Sequence, residues 1–205
     1  MSKTITVERS LFAILSLILL YAVFFHYWDL PIDLWANQTF PDTVWYKISQ
    51  VCGVIFKPAC WFVLAVICLL IGYRRRSQGL GQHYYLFGGS IILALIIATL
   101  AKFGLARYRP IEWFQHQFYG FHFFSTQHDF NSTPSGHTTA TFAALFALSH
   151  IRKKLGLTLL LMLIAVLVGF SRLVLVDHYP SDVIFGAYLG ILSVYWMEAL
   201  LRNKF

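Results

Sequence analysis

Charge is scarce in this chain. Of its 205 residues only 12% are Asp, Glu, Lys or Arg, about half the share usual in a soluble domain. A disordered chain needs the opposite balance, low hydrophobicity with high charge, and is excluded. Cysteine numbers three and glycine 13, too few for a disulfide scaffold or a collagen-like repeat. Cys52, Cys60 and Cys68 fall eight apart with no C-x-x-C pair. A zinc site is therefore not expected, and the three are read as buried free thiols. Internal repeats and low-complexity segments are also lacking. Acidic residues number nine against sixteen basic ones, for a formal net charge of +7. What is abundant is apolar: 58% of the residues are hydrophobic. The class that remains is an integral membrane protein, and the length suits one compact unit. In that class a basic excess marks the cytoplasmic face rather than a nucleic-acid partner.

A helix crossing the hydrocarbon core needs about 20 mostly apolar residues. Six candidate spans follow along the chain, at about 11–28, 55–73, 84–104, 136–151, 155–176 and 182–201. The fourth is short and rich in Ala and Thr, which suits close helix packing more than lipid contact. The first is longer than a secretory h-region and is followed by His26-Tyr27-Trp28-Asp29, too bulky for a cleavage site, so it is read as a retained span. The expected fold is all-α, a single domain over 1–205 built as a bundle of six transmembrane helices.

The connections alternate in charge. Arg74, Arg75 and Arg76 follow span two, and Arg152, Lys153 and Lys154 follow span four. Arg202 and Lys204 follow span six, while Lys3 and Arg9 precede span one. These ten of the sixteen basic residues predict cytoplasmic connections and cytoplasmic termini. The other face carries two long connections, about 29–54 and 105–135. The second is dense in aromatics, including Trp113, Phe118, Tyr119, Phe123, Phe124 and Phe130. It reads as an interfacial aromatic belt, or as a lipid-facing lip over a site.

Ionisable residues at span ends are costly and tend to be functional. Three clusters fall on that one face. Lys102 and Arg109-Pro110 end span three, Pro134-Ser135-Gly136-His137 opens span four, and Ser171-Arg172 with His178 and Asp182 bridges spans five and six. The active site is thus expected at the extracytoplasmic ends of helices three to six. Lys102, Arg109 and Arg172 are three cations suited to phosphate oxygens. Ser135 and Gly136 mark a helix N-terminus, where free N–H groups favour an anion. His178 and Asp182 are four apart and share a face if a helix begins there. His178 is the candidate nucleophile with Asp182 orienting it, and His137 is the candidate general acid and base. No carboxylate cluster suggests a metal, so no cofactor is expected.

The remaining polar residues are read as structural. These are His26, His83 and His150 near the interfaces, His116, His122 and His128 in the aromatic loop, Arg107 as a flanking charge and Asp177 as an interfacial acid.

The stretches K-x6-R-P (102–110), P-S-G-H (134–137) and S-R-x5-H-x3-D (171–182) resemble the three-part signature of the type 2 phosphatidic acid phosphatase family. That family includes bacterial lipid phosphatases and vanadium haloperoxidases. The resemblance implies a six-helix membrane bundle in a bacterial inner membrane, with its site facing the periplasm or outside. It implies phosphate binding by Lys102, Arg109, Ser135, Gly136 and Arg172. It also implies His137 as acid and base, His178 as nucleophile and Asp182 as its partner. The expected activity is hydrolysis of a lipid mono- or diphosphate, such as undecaprenyl diphosphate, phosphatidylglycerol phosphate, phosphatidate or a lipid A phosphate. A phosphotransferase would use the same residues. A haloperoxidase of this family would be soluble, and a transporter would show inverted repeats. The expected partners are the substrate lipid and the bilayer, with oligomeric state left open.

Overall fold

Backbone groups in hydrocarbon have no water to bond, so each apolar run must satisfy its own N–H and C=O groups by coiling. The computed structural model describes residues 3–75 and 81–202, with side chains described from Leu11 onward. Regular structure there is helical: α1 (Lys3–Val23), α2 (Asp29–Thr39), α3 (Val44–Ile55), α4 (Pro58–Arg74), α5 (Gly81–Leu105), α6 (Pro110–His116), α7 (Gly136–Arg152), α8 (Leu155–Val174) and α9 (Pro180–Arg202). A π turn at Phe24–Trp28 joins α1 to α2. One antiparallel bridge pairs Arg107 with Phe121. Of the basic residues that set the expected orientation, Arg76 and Lys204 lie outside the described residues, as do the side chains of Lys3 and Arg9.

Among the described residues, five helical stretches are long and apolar enough to cross a membrane: Leu11–Thr39, Val44–Arg74, Gly81–Leu105, Leu155–Val174 and Pro180–Arg202. The first two hold 29 and 31 residues. At about 1.5 Å per residue they exceed a hydrocarbon core of roughly 30 Å and continue past it.

That continuation corrects the sequence reading of 29–54 as a long connection outside the helices. The helix does not stop at Trp28; it passes through the π turn into α2. Pro31 follows shortly after the π turn in this continuous helix, so its missing N–H falls where the regular hydrogen-bond ladder is already interrupted. The chain then turns at Pro41 and Asp42. Thr43 caps α3, its Oγ1 accepting from the Tyr46 N–H at 3.3 Å. α3 meets α4 at Lys57, whose extended backbone seats Pro58 at the first position of α4.

α7 occupies the centre. At 17 residues it is short for a full crossing, yet ten of them are buried. It packs on α4, α5, α8 and α9. Close approach to α9 depends on glycine. A Cβ on Gly190 would stand 2.7 Å from the Thr139 carbonyl oxygen and 2.8 Å from the Ala143 nitrogen. A Cβ on Gly186 would stand 2.8 Å from the Ser135 carbonyl oxygen. Small residues here substitute close backbone packing for a hydrophobic driving force that lipid does not supply.

The three cysteines are free, but they are not buried as expected. Cys60 is exposed and Cys52 and Cys68 are half-buried. They lie on α3 and α4, helices with largely exposed apolar flanks (Val51, Val54, Val63, Leu64 and Ile67). On a lipid-facing helix an apolar thiol gains nothing by turning inward.

Candidate active site

Four chain segments converge where α5 ends, α7 begins and α8 turns into α9. Lys102 stands in the last turn of α5, and Arg109 caps α6. Gly136 and His137 open α7, with Ser135 as its N-cap. Asp177 and His178 sit on the short turn between α8 and α9. Together Lys102, Arg109, Gly136, His137, Asp177 and His178, with Pro58 and His128, line one cavity of about 290 Å³.

Each cation is held from behind by carbonyls. Lys102 Nζ donates to the carbonyls of Asn131 at 2.5 Å and Ser132 at 3.3 Å. Arg109 Nε donates to the His128 carbonyl at 3.0 Å, and its Nη1 to that of Asp177 at 3.3 Å. Burial pulls the Arg109 guanidinium below its ordinary range, with Asp177 acting in the opposite direction. His137 Nε2 lies 3.1 Å from the Gly53 carbonyl oxygen. That oxygen can only accept, so Nε2 carries a proton.

Ser135, Arg172 and Asp182 stand behind this lining rather than in it. Ser135 is fully buried. Its N–H donates to the Asp182 carbonyl at 3.0 Å, and its Oγ accepts from Thr138 at 3.0 Å. The Arg172 guanidinium is spread over the Ser49 carbonyl at 2.9 Å, Ser171 Oγ at 3.0 and 3.1 Å, and the Asp177 carboxylate at 3.2 Å. Its reach to the cavity runs through Asp177.

His178 is buried, with Nδ1 3.8 Å from Asp182 Oδ2. This is longer than a hydrogen bond, and Nδ1 has no other partner among the described residues. Burial pushes the imidazole down to about 3 from its ordinary 6.5, against the pull of Asp182 and with the help of Arg109 and Lys102. The ring is therefore neutral at physiological pH and has a lone pair to offer.

Asp182 is fixed on every side. Its Oδ1 accepts from Arg107 Nη1 at 2.5 Å. Its Oδ2 accepts from Ser132 Oγ at 2.5 Å and from the Tyr179 N–H at 3.0 Å. Arg107, read from sequence as a flanking charge, is completely buried. Its Nη2 donates to Asp29 Oδ2 at 2.6 Å. Its Nη1 also donates to Ser181 Oγ at 2.6 Å and Tyr21 Oη at 3.2 Å. The guanidinium carbon lies 4.2 Å from the centre of the Tyr179 ring and 4.8 Å from that of Phe25. Burial works against this charge, but Asp182, Tyr21 and Asp29 outweigh it and hold the guanidinium well above its ordinary value.

Sequence reasoning therefore missed Arg107, Asp29, Gly53 and the role of Asp177. For Arg107 and Asp29 a signal existed. Each is an ionisable residue close to an apolar span, which is a functional flag in itself. For Gly53 there was none.

A family model described as the PAP2 superfamily matches residues 83–205. The chain belongs to the PAP2 superfamily. Within the superfamily match lie all the motif residues named above, while Tyr21, Asp29 and Gly53 lie before it. The chain is similar to a lipid A 1-phosphatase of Rhizobium johnstonii, 31% identical over 157 residues, covering 67% of this chain and 62% of that protein. It is also similar to a lipid A 1-phosphatase of Rhizobium etli, 34% identical over 150 residues, covering 66% of this chain and 62% of that protein. The match thus spans less than two thirds of the length of these relatives. A bacitracin transport permease protein of Bacillus licheniformis is 44% identical over 69 residues, 32% of this chain and 33% of that protein. Among solved structures, a transmembrane PAP2-type phosphatidylglycerolphosphate phosphatase from Bacillus subtilis superposes with a TM-score of 0.60 at 19% identity, covering 94% of this chain and 96% of that one. That likeness establishes a shared fold. With five long apolar helices among its described residues, the chain is an integral membrane protein.

Proposed function

We propose that this protein is a lipid phosphatase that cleaves a membrane lipid mono- or diphosphate through a phosphohistidine on His178. The observation that carries the reading is the single cavity shared by Lys102, Arg109, Gly136, His137 and His178. Two cations and the N-terminal N–H groups of α7 suit a tetrahedral oxyanion. With Nδ1 turned toward Asp182, Nε2 of His178 is the atom left to attack phosphorus. The P–O bond to the lipid breaks as the N–P bond forms. His137, entering the step as the imidazolium with Nε2–H kept on the Gly53 carbonyl, gives its other ring proton to the leaving oxygen and becomes neutral. Water then attacks the phosphohistidine, giving a proton to His137 and releasing phosphate. Lys102 and Arg109 stabilise the equatorial oxygens, and Arg172 supports them through Asp177. The 3.8 Å gap between His178 and Asp182 is of the kind that tightens when substrate binds.

The wider setting is part of the same reading. α7 serves as a sixth membrane helix within a single domain over 1–205, both termini are cytoplasmic, and the cavity opens toward the periplasm or outside. The head group stays at the class level of lipid phosphates; the similarity to lipid A 1-phosphatases supports that class.

Phosphate release by purified protein tests the proposal. Phosphatidate, phosphatidylglycerol phosphate, undecaprenyl diphosphate and lipid A are the substrates, each with and without EDTA. Release from at least one lipid, unaffected by EDTA and abolished in His178→Ala, is the expected result. Full activity in His178→Ala overturns the nucleophile, and loss of activity with EDTA overturns the metal-free mechanism.

A further inference from the structure

The buried charges around Asp182 do not balance in pairs. Asp29, Arg107 and Asp182 are all fully buried and form one connected unit. Arg107 gives Nη1 to Asp182 and Nη2 to Asp29, so one cation is divided between two carboxylates. Ser181 closes the arrangement: its N–H donates to Asp29 Oδ1 at 2.9 Å, and its Oγ bonds Asp29 Oδ2 at 2.5 Å and Arg107 at 2.6 Å. Ser181 directly precedes Asp182 in the chain.

Consider Asp182 with Arg107 alone. The two charges would cancel, and little field would reach the imidazole facing Oδ2. Asp29 changes that count. It engages half of the guanidinium and leaves the unit with one negative charge, beside His178. A cation forming on the imidazole during phosphoryl transfer is then opposed by a real charge in a site of low polarity, where such a charge acts strongly.

We propose that Asp29, which opens α2 and lies outside the family match, is a positioning residue. Acting through Arg107, it sets the orientation and charge of Asp182 against His178. This rests on the reading of His178 as nucleophile. Asp29 does not line the cavity, so its loss should act on turnover and not on substrate affinity.

The test compares Asp29→Asn, Ser181→Ala and His178→Ala with the unaltered full chain in detergent, using phosphatidate and undecaprenyl diphosphate. Asp29→Asn keeps the shape and removes the charge. Its kcat should fall about tenfold or more, the scale expected when a charge neighbour shifts a titrating group by one unit, while KM stays within about twofold of the unaltered protein. An unchanged kcat overturns the proposal, as does a loss confined to KM or matched by a general loss of folded protein. Should Asp29→Asn fail to fold, Ser181→Ala decides. It leaves both carboxylates and the direct Arg107–Asp29 pair in place and removes only the hydroxyl that bonds both Asp29 Oδ2 and Arg107 Nη1, so Asp29 is held less firmly against Arg107. A smaller fall in kcat at constant KM is expected, and an unchanged kcat overturns the proposal. Activity in His178→Ala would instead remove the nucleophile reading. Loss of activity in His178→Ala with a normal Asp29→Asn protein would remove the positioning proposal alone.

Discussion

Gly53 lies directly against the guanidinium of Arg172. A methyl group on Gly53 would stand 2.9 Å from both Nη1 and Nη2, and the carbonyl of the same residue holds His137 Nε2. One backbone position on α3 therefore supports a cation and a histidine from two other helices. Gly53→Ala should lower kcat/KM by about tenfold, because a shift of well under an ångström already misplaces reacting groups. Stability should change little, since replacing a helix-interior glycine returns roughly 0.5–1 kcal/mol against the crowding. Phosphate-release kinetics together with thermal unfolding in detergent separate the two effects.

The neutral state of His178 gives a pH dependence with a definite sign. Its imidazole titrates at about 3 in the folded protein against an ordinary 6.5. Above pH 6.5 both folded and unfolded forms are neutral, and its contribution to stability is fully present. Below 6.5 the unfolded chain takes up a proton that the folded chain refuses, so stability falls as the pH drops toward 3. Substituting His178→Asn should flatten this part of the stability profile, as followed by unfolding between pH 7 and pH 4.

Breaking the buried ion unit should cost far more than any surface pair. Arg107→Met leaves two buried carboxylates facing each other without a cation. Removing one partner of a buried pair costs about 3–5 kcal/mol. Denaturation of Arg107→Met in detergent should show a loss of that order. By contrast, Arg202→Ala, which removes the half-exposed partner of Glu198, should cost about 0–1 kcal/mol.

The contact between α7 and α9 should resist enlargement. Gly190→Ala places a methyl group against backbone atoms of α7, which cannot rotate away as a side chain could. Overpacking of this kind costs about 1–3 kcal/mol. Because α7 carries Gly136 and His137 into the cavity, activity should fall along with the unfolding temperature.

The helices were legible wherever an apolar run is uninterrupted. The run at 84–104 becomes Gly81–Leu105, and that at 182–201 becomes Pro180–Arg202. The segment 29–54 was read as a connection because it falls between two apolar runs; it is helical as α2 and α3, and of its prolines only Pro41 follows the end of a helix. The residues of the candidate site were readable as polar groups stranded at span ends. Their supports were not. Positions 29, 107 and 182 are brought together by tertiary packing alone, and no spacing rule connects them. Gly53 carries no side chain for a pattern to register. Arg107 was visible, but two basic residues in Arg-Tyr-Arg cannot be told apart by charge; one turns into the cavity and the other into the interior.

The π turn at Phe24–Trp28 holds one residue more than a regular helical turn needs. Deleting a residue there would restore α-helical bonding and rotate α2 by about 100° relative to α1, since each α-helical residue advances that far. Asp29 and Asp33, one turn apart on the same side, would swing away from Arg107 together. The insertion thus sets the angular phase of the following helix, and a change of chain length at this point, with every side chain in the cavity left intact, becomes a change in the charge that stands behind the cavity.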